Sequence, residues 1–261
     1  MAAEIAVNDK GVPAGSLTAT EGTPVHHEEA HVHPHWLMHH FDDLEQQRET
    51  ITLGMWCFLI TEIMMFGALF FVYSLYRLKF HTAYVAGSHL LDWKLGFVNT
   101  MVLLCSSLTM VLAVHAAQLK NKKNLILFLW LTVILGCTFL GVKSVEWTKD
   151  FHEGIIPGMF WGPTQETLHH LHPELREMLH LPNLELFFII YFSMTGLHAV
   201  HMIIGIAILL YFISLAKKGG FTEGNDQPVE LFGLYWHFVD VVWVFLFPLL
   251  YLTGGIVLSG H

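Results

Sequence analysis

The sequence predicts an all-α fold: a polytopic integral membrane helical bundle with five transmembrane helices. Three observations predict it. Of 261 residues, 54% are hydrophobic and only 13% are charged, where a soluble domain carries about 25% charge. Five separate apolar segments are each long enough to cross a bilayer, which takes about 20 helical residues. None alternates in the manner of a membrane strand, so the backbone must be satisfied within helices. The net charge of −9 lacks the basic footprint of a nucleic-acid binder. No Gly-rich phosphate-cradling loop is present.

Residues 1–47 read as a polar, His-rich N-terminal tail ahead of a membrane domain at 48–261. Residues 1–24 have the composition of a disordered segment. His26, His27, His31, His33, His35, His39 and His40 follow. Such tracts can bind metal. Here the spacing is loose and no carboxylate or thiolate frame accompanies it, which favours a solvated or pH-responsive tail. No basic stretch precedes an apolar one, so the tail does not read as a signal peptide.

The first apolar segment runs from about Ile51 to Leu78 and contains Glu62. An acid at lipid depth is expensive unless it faces protein or water, so Glu62 is a candidate functional group as well as a structural one. The second runs from about Leu95 to Leu119, with Asn99 and His115 as packing and hydrogen-bonding candidates. The third, about Leu125 to Val145, has Lys143, Glu146 and Trp147 at its exit. The fourth, about Leu186 to Leu215, places His198 and His201 on one helical face. That spacing suits a metal or haem site, and it equally suits interhelix hydrogen bonds beside Gly196 and Gly205. The fifth runs from about Leu231 to Leu258. It carries Tyr235–Phe247, in which His237 and Asp240 share a face, either as chemistry or as a pair that locks helices together. Cys57, Cys105 and Cys137 fall one to a segment and read as small buried hydrophobes.

Lys120, Lys122 and Lys123 lie in one short loop and Lys217 and Lys218 in another. The positive-inside rule then puts the N-terminus inside and the C-terminus outside. An outer insertion at about 150–183 is long for a compact bundle. Within it Leu168, Leu171, Leu175 and Leu179 share one side of a short amphipathic helix.

Taken in order, five stretches resemble subunit III of the haem-copper oxidases, most closely that of cytochrome c oxidase. They are Gly54 to Phe71 around Glu62; Asn99-Thr100 through Ser106, Ser107 and His115; Gly136 to Trp147; Thr195 to Gly205; and Tyr235 to Phe247. The resemblance implies a bacterial five-helix subunit without the two extra N-terminal helices of the mitochondrial form. It implies no metal and no redox cofactor in this chain, with haem and copper in partner subunits. It also implies packing against the catalytic subunit I, with subunit II nearby, bound phospholipid, and support of proton uptake in the cell membrane. Glu62 matches the family's carbodiimide-reactive acid. His115, Glu146, His198, His201, His237 and Asp240 match its buried polar positions. Lys143 stands where many members have Gln, and Thr52 where some have Arg. The insertion has no counterpart in the short mitochondrial loop and leaves room for a cytochrome c domain, a subunit IV or a supercomplex neighbour.

Other readings remain at this point. A quinol oxidase subunit III or a nitric oxide reductase accessory protein keeps the fold. A stand-alone metalloenzyme would need Glu62, His115, Glu146, His198 and His201 to converge at one depth. A transporter would show an inverted repeat or a pair of broken helices, and neither is visible.

Overall fold

A computed structural model describes residues 43–158, 161–162, 183–221 and 226–253. The His-rich tract, the amphipathic segment of the insertion and the last residues of the fifth span lie outside these. Among the described residues there are six α-helices: α1 Leu44–Lys79, α2 His81–Leu90, α3 Trp93–Gln118, α4 Lys122–His152, α5 Leu184–Lys217 and α6 Gln227–Phe247. A π-turn, Pro248–Leu252, continues α6. All but α2 are long and apolar enough to cross a membrane.

The ends of the helices follow from local chemistry. Asp43, Asp92 and Asn121 accept backbone N–H bonds at the starts of α1, α3 and α4, satisfying donors that a helix start leaves open. Three helices stop at a residue of positive φ: α3 at Lys120, α4 at Gly154 and α5 at Gly219. At each, paired backward bonds such as Asn121 N–H to Ala116 and Lys120 N–H to Ala117 satisfy the last carbonyls. Pro248 has no N–H to give to the preceding turn, and the backbone widens there into the π-turn.

α3, α4, α5 and α6 form a ring in which each packs on the next, and α1 lies against α5 and α6. Polar side chains register α6 against α3. Trp236 Nε1 donates to Ser106 Oγ at 2.9 Å, His237 Nδ1 meets Ser107 Oγ at 2.7 Å, and Trp243 Nε1 donates to Thr100 Oγ1 at 3.2 Å. Thr109 and Thr132 join α3 to α4 at 2.8 Å. The bundle thus has one end bearing Arg48, Gln118, Lys122 and Asp226, and an opposite end bearing Tyr73, Asp150 and the π-turn.

α1 makes the thinnest contact. Its buried apolar residues Leu59, Phe66 and Tyr73 recur every seven positions, the narrow seam of a coiled coil rather than a broad stripe. Polar ties supplement it along its length. Arg48 pairs with Asp226 and its carbonyl accepts from Gln227 Nε2 near one end, Glu62 meets His201 in the middle, and Tyr73 OH donates to the Leu249 carbonyl near the other end.

Two features depart from the sequence reading. α2, which fills the first connection, was not expected. It buries Ala83, Tyr84, Ala86 and Gly87, and Phe187 packs so close over Gly87 that a Cβ there would overlap its ring. Burial, and then the neighbouring Tyr73 and Tyr76, raise the pKa of Tyr84 and hold its phenol neutral. The three cysteines, expected inside, are exposed on the outward faces of their helices, where hydrocarbon suits a thiol as well as a core does.

Close approach of α5 and α6 depends on Gly205, where an added Cβ would lie 2.9 Å from the Trp236 ring. Gly205→Leu should destabilise the fold by about 1–3 kcal/mol through overpacking. Gly141→Ala, which meets nothing within 4 Å, should be neutral. Thermal denaturation in detergent reads the difference.

Candidate functional site

Two polar groups stand among the helices, and both draw on residues three or four apart on one helix face. On α5, Tyr191, Thr195, His198 and His201 follow one another along one stripe. On α4, Lys143, Glu146 and Asp150 do the same. All seven are buried.

The first group is the pair Glu62–His201. His201 Nε2 lies 3.0 Å from Glu62 Oε2 and its Nδ1 lies 2.8 Å from the Leu197 carbonyl. A carbonyl only accepts, so Nδ1 carries a proton. The contact at Nε2 then holds one more proton, either on the imidazolium or on the Glu62 carboxyl. Either way the pair is neutral overall. Phe66 packs on the His201 ring at 5.3 Å. The pair is not sealed: the side chains are 15% and 10% exposed. They line a groove of about 380 Å³ with Met55, Phe58, Ile204, Ile208, Phe212 and Tyr235.

The second group is a tetrad. Lys143 Nζ, 2% exposed, donates to Glu146 Oε2 at 3.1 Å, Tyr191 OH at 2.9 Å and Tyr251 OH at 2.7 Å. Both tyrosine hydroxyls donate to Glu146 Oε1. The π-turn brings Tyr251 here. The ammonium also lies 4.9 Å from the Tyr191 ring and 5.3 Å from the Trp243 ring, within cation–π range.

The sequence-derived candidates sort as follows. Glu62 and His201 come together. Glu146 does not mark a helix exit, because α4 continues seven residues past the expected end at Val145 and turns Glu146 inward. His198 does not join His201 in a ligand pair. It is fully buried between Phe139 and Trp243, with ring centroids at 5.3 and 5.1 Å, and neither nitrogen has a hydrogen-bond partner among the described residues. His237 and Asp240 do not form the helix-locking pair expected of them. His237 alone ties α6 to α3 through Ser107. Asp240 is buried with both oxygens unpartnered among the described residues, and so is the amide of Asn99. His115 is exposed and lines a second groove, of about 940 Å³, with Arg48, Gln118, Asp226, Gln227, Glu230 and His237. Among the described residues no three His, Cys, Asp or Glu side chains are placed to hold a metal ion together. The convergence that a metalloenzyme reading required is therefore missing for Glu62, His115, Glu146, His198 and His201.

Lys143, Tyr191, Tyr251 and Ser107 were missed as members of these groups. The signal for Lys143 was present: it stands three residues before Glu146 and so on its face. Tyr191 is likewise one stripe with His198. Nothing local points Tyr251 at them, since its direction depends on the π-turn.

Lys143→Met leaves Glu146 buried without its cation and should destabilise the protein by about 3–5 kcal/mol, whereas the double change Lys143→Met/Glu146→Leu should recover most of that loss. The denaturation midpoints of both variants check this. A double-mutant cycle on His237→Ala and Ser107→Ala should give a coupling of about 1 kcal/mol.

Comparison with known proteins places the chain in a family. The sequence pattern of the family described as "Cytochrome c oxidase subunit III" matches residues 38–172 and 185–255. The chain is 32% identical to the cytochrome c oxidase subunit 3 of Alkalihalophilus pseudofirmus over 92% of its own length and 98% of that protein. It is 31% identical to the quinol oxidase subunit 3 of Bacillus subtilis over 81% of its length and 92% of the relative. It is 27% identical to the cytochrome bo(3) ubiquinol oxidase subunit 3 of Pseudomonas aeruginosa over 85% and 94%. The chain belongs to the cytochrome c oxidase subunit III family of the haem-copper oxidases.

Proposed function

We propose that this chain is the non-redox subunit III of a bacterial terminal oxidase that passes electrons from cytochrome c to oxygen and translocates protons, and that it sustains proton delivery to the catalytic subunit. The observation that carries the reading is the Glu62–His201 pair: an acid and an imidazole 3.0 Å apart within membrane-spanning helices, and open to a groove. A proton that leaves this pair makes one net charge, and the groove opens that charge to water, where a sealed site would hold it bare in hydrocarbon.

In this reading haem and copper belong to partner subunits I and II. The chain sits in the bacterial cell membrane with its N-terminus inside, so the Arg48 end and its larger groove face the cytoplasm. Acidic and imidazole side chains there, Asp226, Glu230, His115 and His237, form a surface from which protons are gathered. The smaller groove is walled mainly by apolar side chains and suits a phospholipid acyl chain. The segment 150–183, on the outer side, would meet a further subunit or a neighbouring complex.

A second reading changes only the donor. Relatives named quinol oxidase subunit 3 are nearly as similar as those named cytochrome c oxidase subunit 3. Copper content and donor preference of the purified complex decide between them: turnover with reduced cytochrome c and a copper centre beyond the haem-bound one support the first, turnover with quinol alone the second.

Glu62→Gln keeps the size of the side chain and removes the proton exchange. The complex should assemble with an unchanged haem spectrum, and it should inactivate after fewer turnovers than the wild type. Unchanged turnover, pumping and working lifetime would remove Glu62 from the proposed role.

A further inference from the structure

The two polar groups differ in what they leave free. An ammonium has three N–H donors, and Lys143 Nζ spends them on Glu146, Tyr191 and Tyr251. Both phenols donate in turn to Glu146 Oε1. That group has nothing left to offer a ligand. In the other, His201 commits Nδ1 to the Leu197 carbonyl and Nε2 to Glu62 Oε2. Glu62 Oε1 makes no hydrogen bond among the described residues, and its side chain borders the groove of about 380 Å³.

Three helix stripes build this groove: Met55 to Glu62 on α1, His201 to Phe212 on α5 and Pro228 to Tyr235 on α6, each with lining residues three or four apart. Seven residues of helix rise about 10 Å, so the groove is a long trough. Its polar end is at Glu62 and its apolar end at Pro228, in the first turn of α6. Glu62 stands midway along the 36 residues of α1, near the middle of the hydrocarbon. A phospholipid has the opposite order, with its charged head at the interface and its chain ends at the centre. It can lay a chain along the trough, but it brings Glu62 no partner. Among the described residues that line the trough, none is Lys or Arg to receive a phosphate.

The donors of the site are all committed. The proton shared by the pair lies at the Nε2–Oε2 contact, the Nδ1 proton is on a carbonyl, and Tyr235 OH donates to the His201 carbonyl at 2.9 Å. What remains at the trough is Glu62 Oε1, an acceptor. The complementary ligand is therefore neutral, reaches mid-bilayer depth and carries a hydroxyl that donates. Phe58, Tyr235, Phe232 and Phe212 make a run of ring contacts along the trough, with successive centroids 6.0, 5.7 and 5.4 Å apart. Such a wall suits a flat aromatic head.

We propose that this trough binds the reduced head of a membrane quinol, with a phenolic hydroxyl donating to Glu62 Oε1 and the apolar tail lying along the trough toward Pro228. The hydroxyl takes the place of a water at Glu62. The oxidised quinone presents carbonyl acceptors to an acceptor and binds more weakly. The event is binding alone, and no electron moves in it. It shares the groove with the proton-delivery reading but rests on the shape of the trough and its count of donors, and it holds whichever electron donor the complex uses.

The test uses the whole purified complex in nanodiscs of synthetic phosphatidylcholine, under argon and with cyanide, so that quinol is not consumed. The probe is an undecyl benzoquinol with a diazirine in its alkyl chain. Light fixes it, and mass spectrometry of the digested chain locates it. Label should fall on the stretches 55–62 and 204–212. Unlabelled undecyl benzoquinol should displace it at a concentration roughly tenfold lower than its dimethyl ether, which keeps the ring and loses the donor. It should also displace it better than undecyl benzoquinone or dodecanol. Glu62→Leu should erase the difference between the quinol and its dimethyl ether. Ile208→Trp, which fills the trough, should remove the label. Equal displacement by the quinol and its dimethyl ether in the wild type would overturn the proposal. Equal displacement by dodecanol would do so too, since it would mark a site for any lipid alcohol, and so would a wild type with no label on these stretches. The competitions need no variant, so the outcome stands even where Ile208→Trp fails to fold. Loss of the quinol site would leave the proton-delivery reading in place, because turnover lifetime measures that reading and label does not.

Discussion

Hydrocarbon offers helices little reward for meeting apolar face to face, because lipid tails are as apolar as leucine. What holds this bundle in register is therefore the requirement that polar groups at lipid depth find partners on other helices. Its most specific contacts follow that rule. Ser106 and Ser107 on α3 receive Trp236 and His237 on α6, neighbour for neighbour. Tyr235 reaches the His201 carbonyl on α5 at 2.9 Å. Lys143 and Glu146 on α4 gather a tyrosine from α5 and another from the π-turn. Remove these and the remaining surfaces fit, but they no longer specify one sliding position over another.

The same constraint explains the place of α1. Its seam is one residue wide per heptad, so packing contributes little, and Glu62 lies on that seam between Leu59 and Phe66. The acid that the sequence singles out is thus also the middle tie of the least anchored helix. Its flanking grooves exist because a narrow seam leaves both shoulders of α1 uncovered. Exposed apolar side chains along α1, among them Leu53, Trp56, Ile60, Met64 and Phe71, provide the area that lipid or a partner subunit would cover.

Much of this was legible in the sequence. Length and apolar content give all five spans. The helix ends lie up to seven residues beyond the expected ones, at Leu44 and His152, because crossing a bilayer fixes the apolar stretch and not the polar turns that extend it. The spacing of His198 from His201, and of His237 from Asp240, correctly puts each pair on one face. It does not reveal that the members of each pair point to different partners. A face some 100° wide can turn His201 to α1 while His198 is enclosed by Phe139 and Trp243. It can likewise turn His237 to α3 while Asp240 has no hydrogen-bond partner among the described residues. Lys143 was misread for a different reason. A cation near the end of an apolar run looks like a boundary marker, and only the continuation of α4 past Val145 makes it interior. Tyr251 was out of reach, since a π-turn shifts the direction of every residue after Pro248 and helical spacing no longer applies.

Two neutral proton-sharing groups within one small bundle invite a physical distinction between them. Charge neutrality is common to both and reflects the medium, which tolerates no bare ion. Access is what separates them. Glu62 and His201 each keep a tenth or more of the side chain exposed at a groove, and His201 spends its second nitrogen on a backbone carbonyl that fixes the ring. That leaves a single contact through which a proton can come and go. Lys143 and Glu146 are 2% and 3% exposed, and two phenols occupy the positions that water would otherwise take. Aromatic hydroxyls suit that purpose, since each supplies one donor on a rigid apolar ring that fills space. The difference between an acid that can work and an acid that only holds therefore rests on whether its last lone pair meets a groove or a tyrosine.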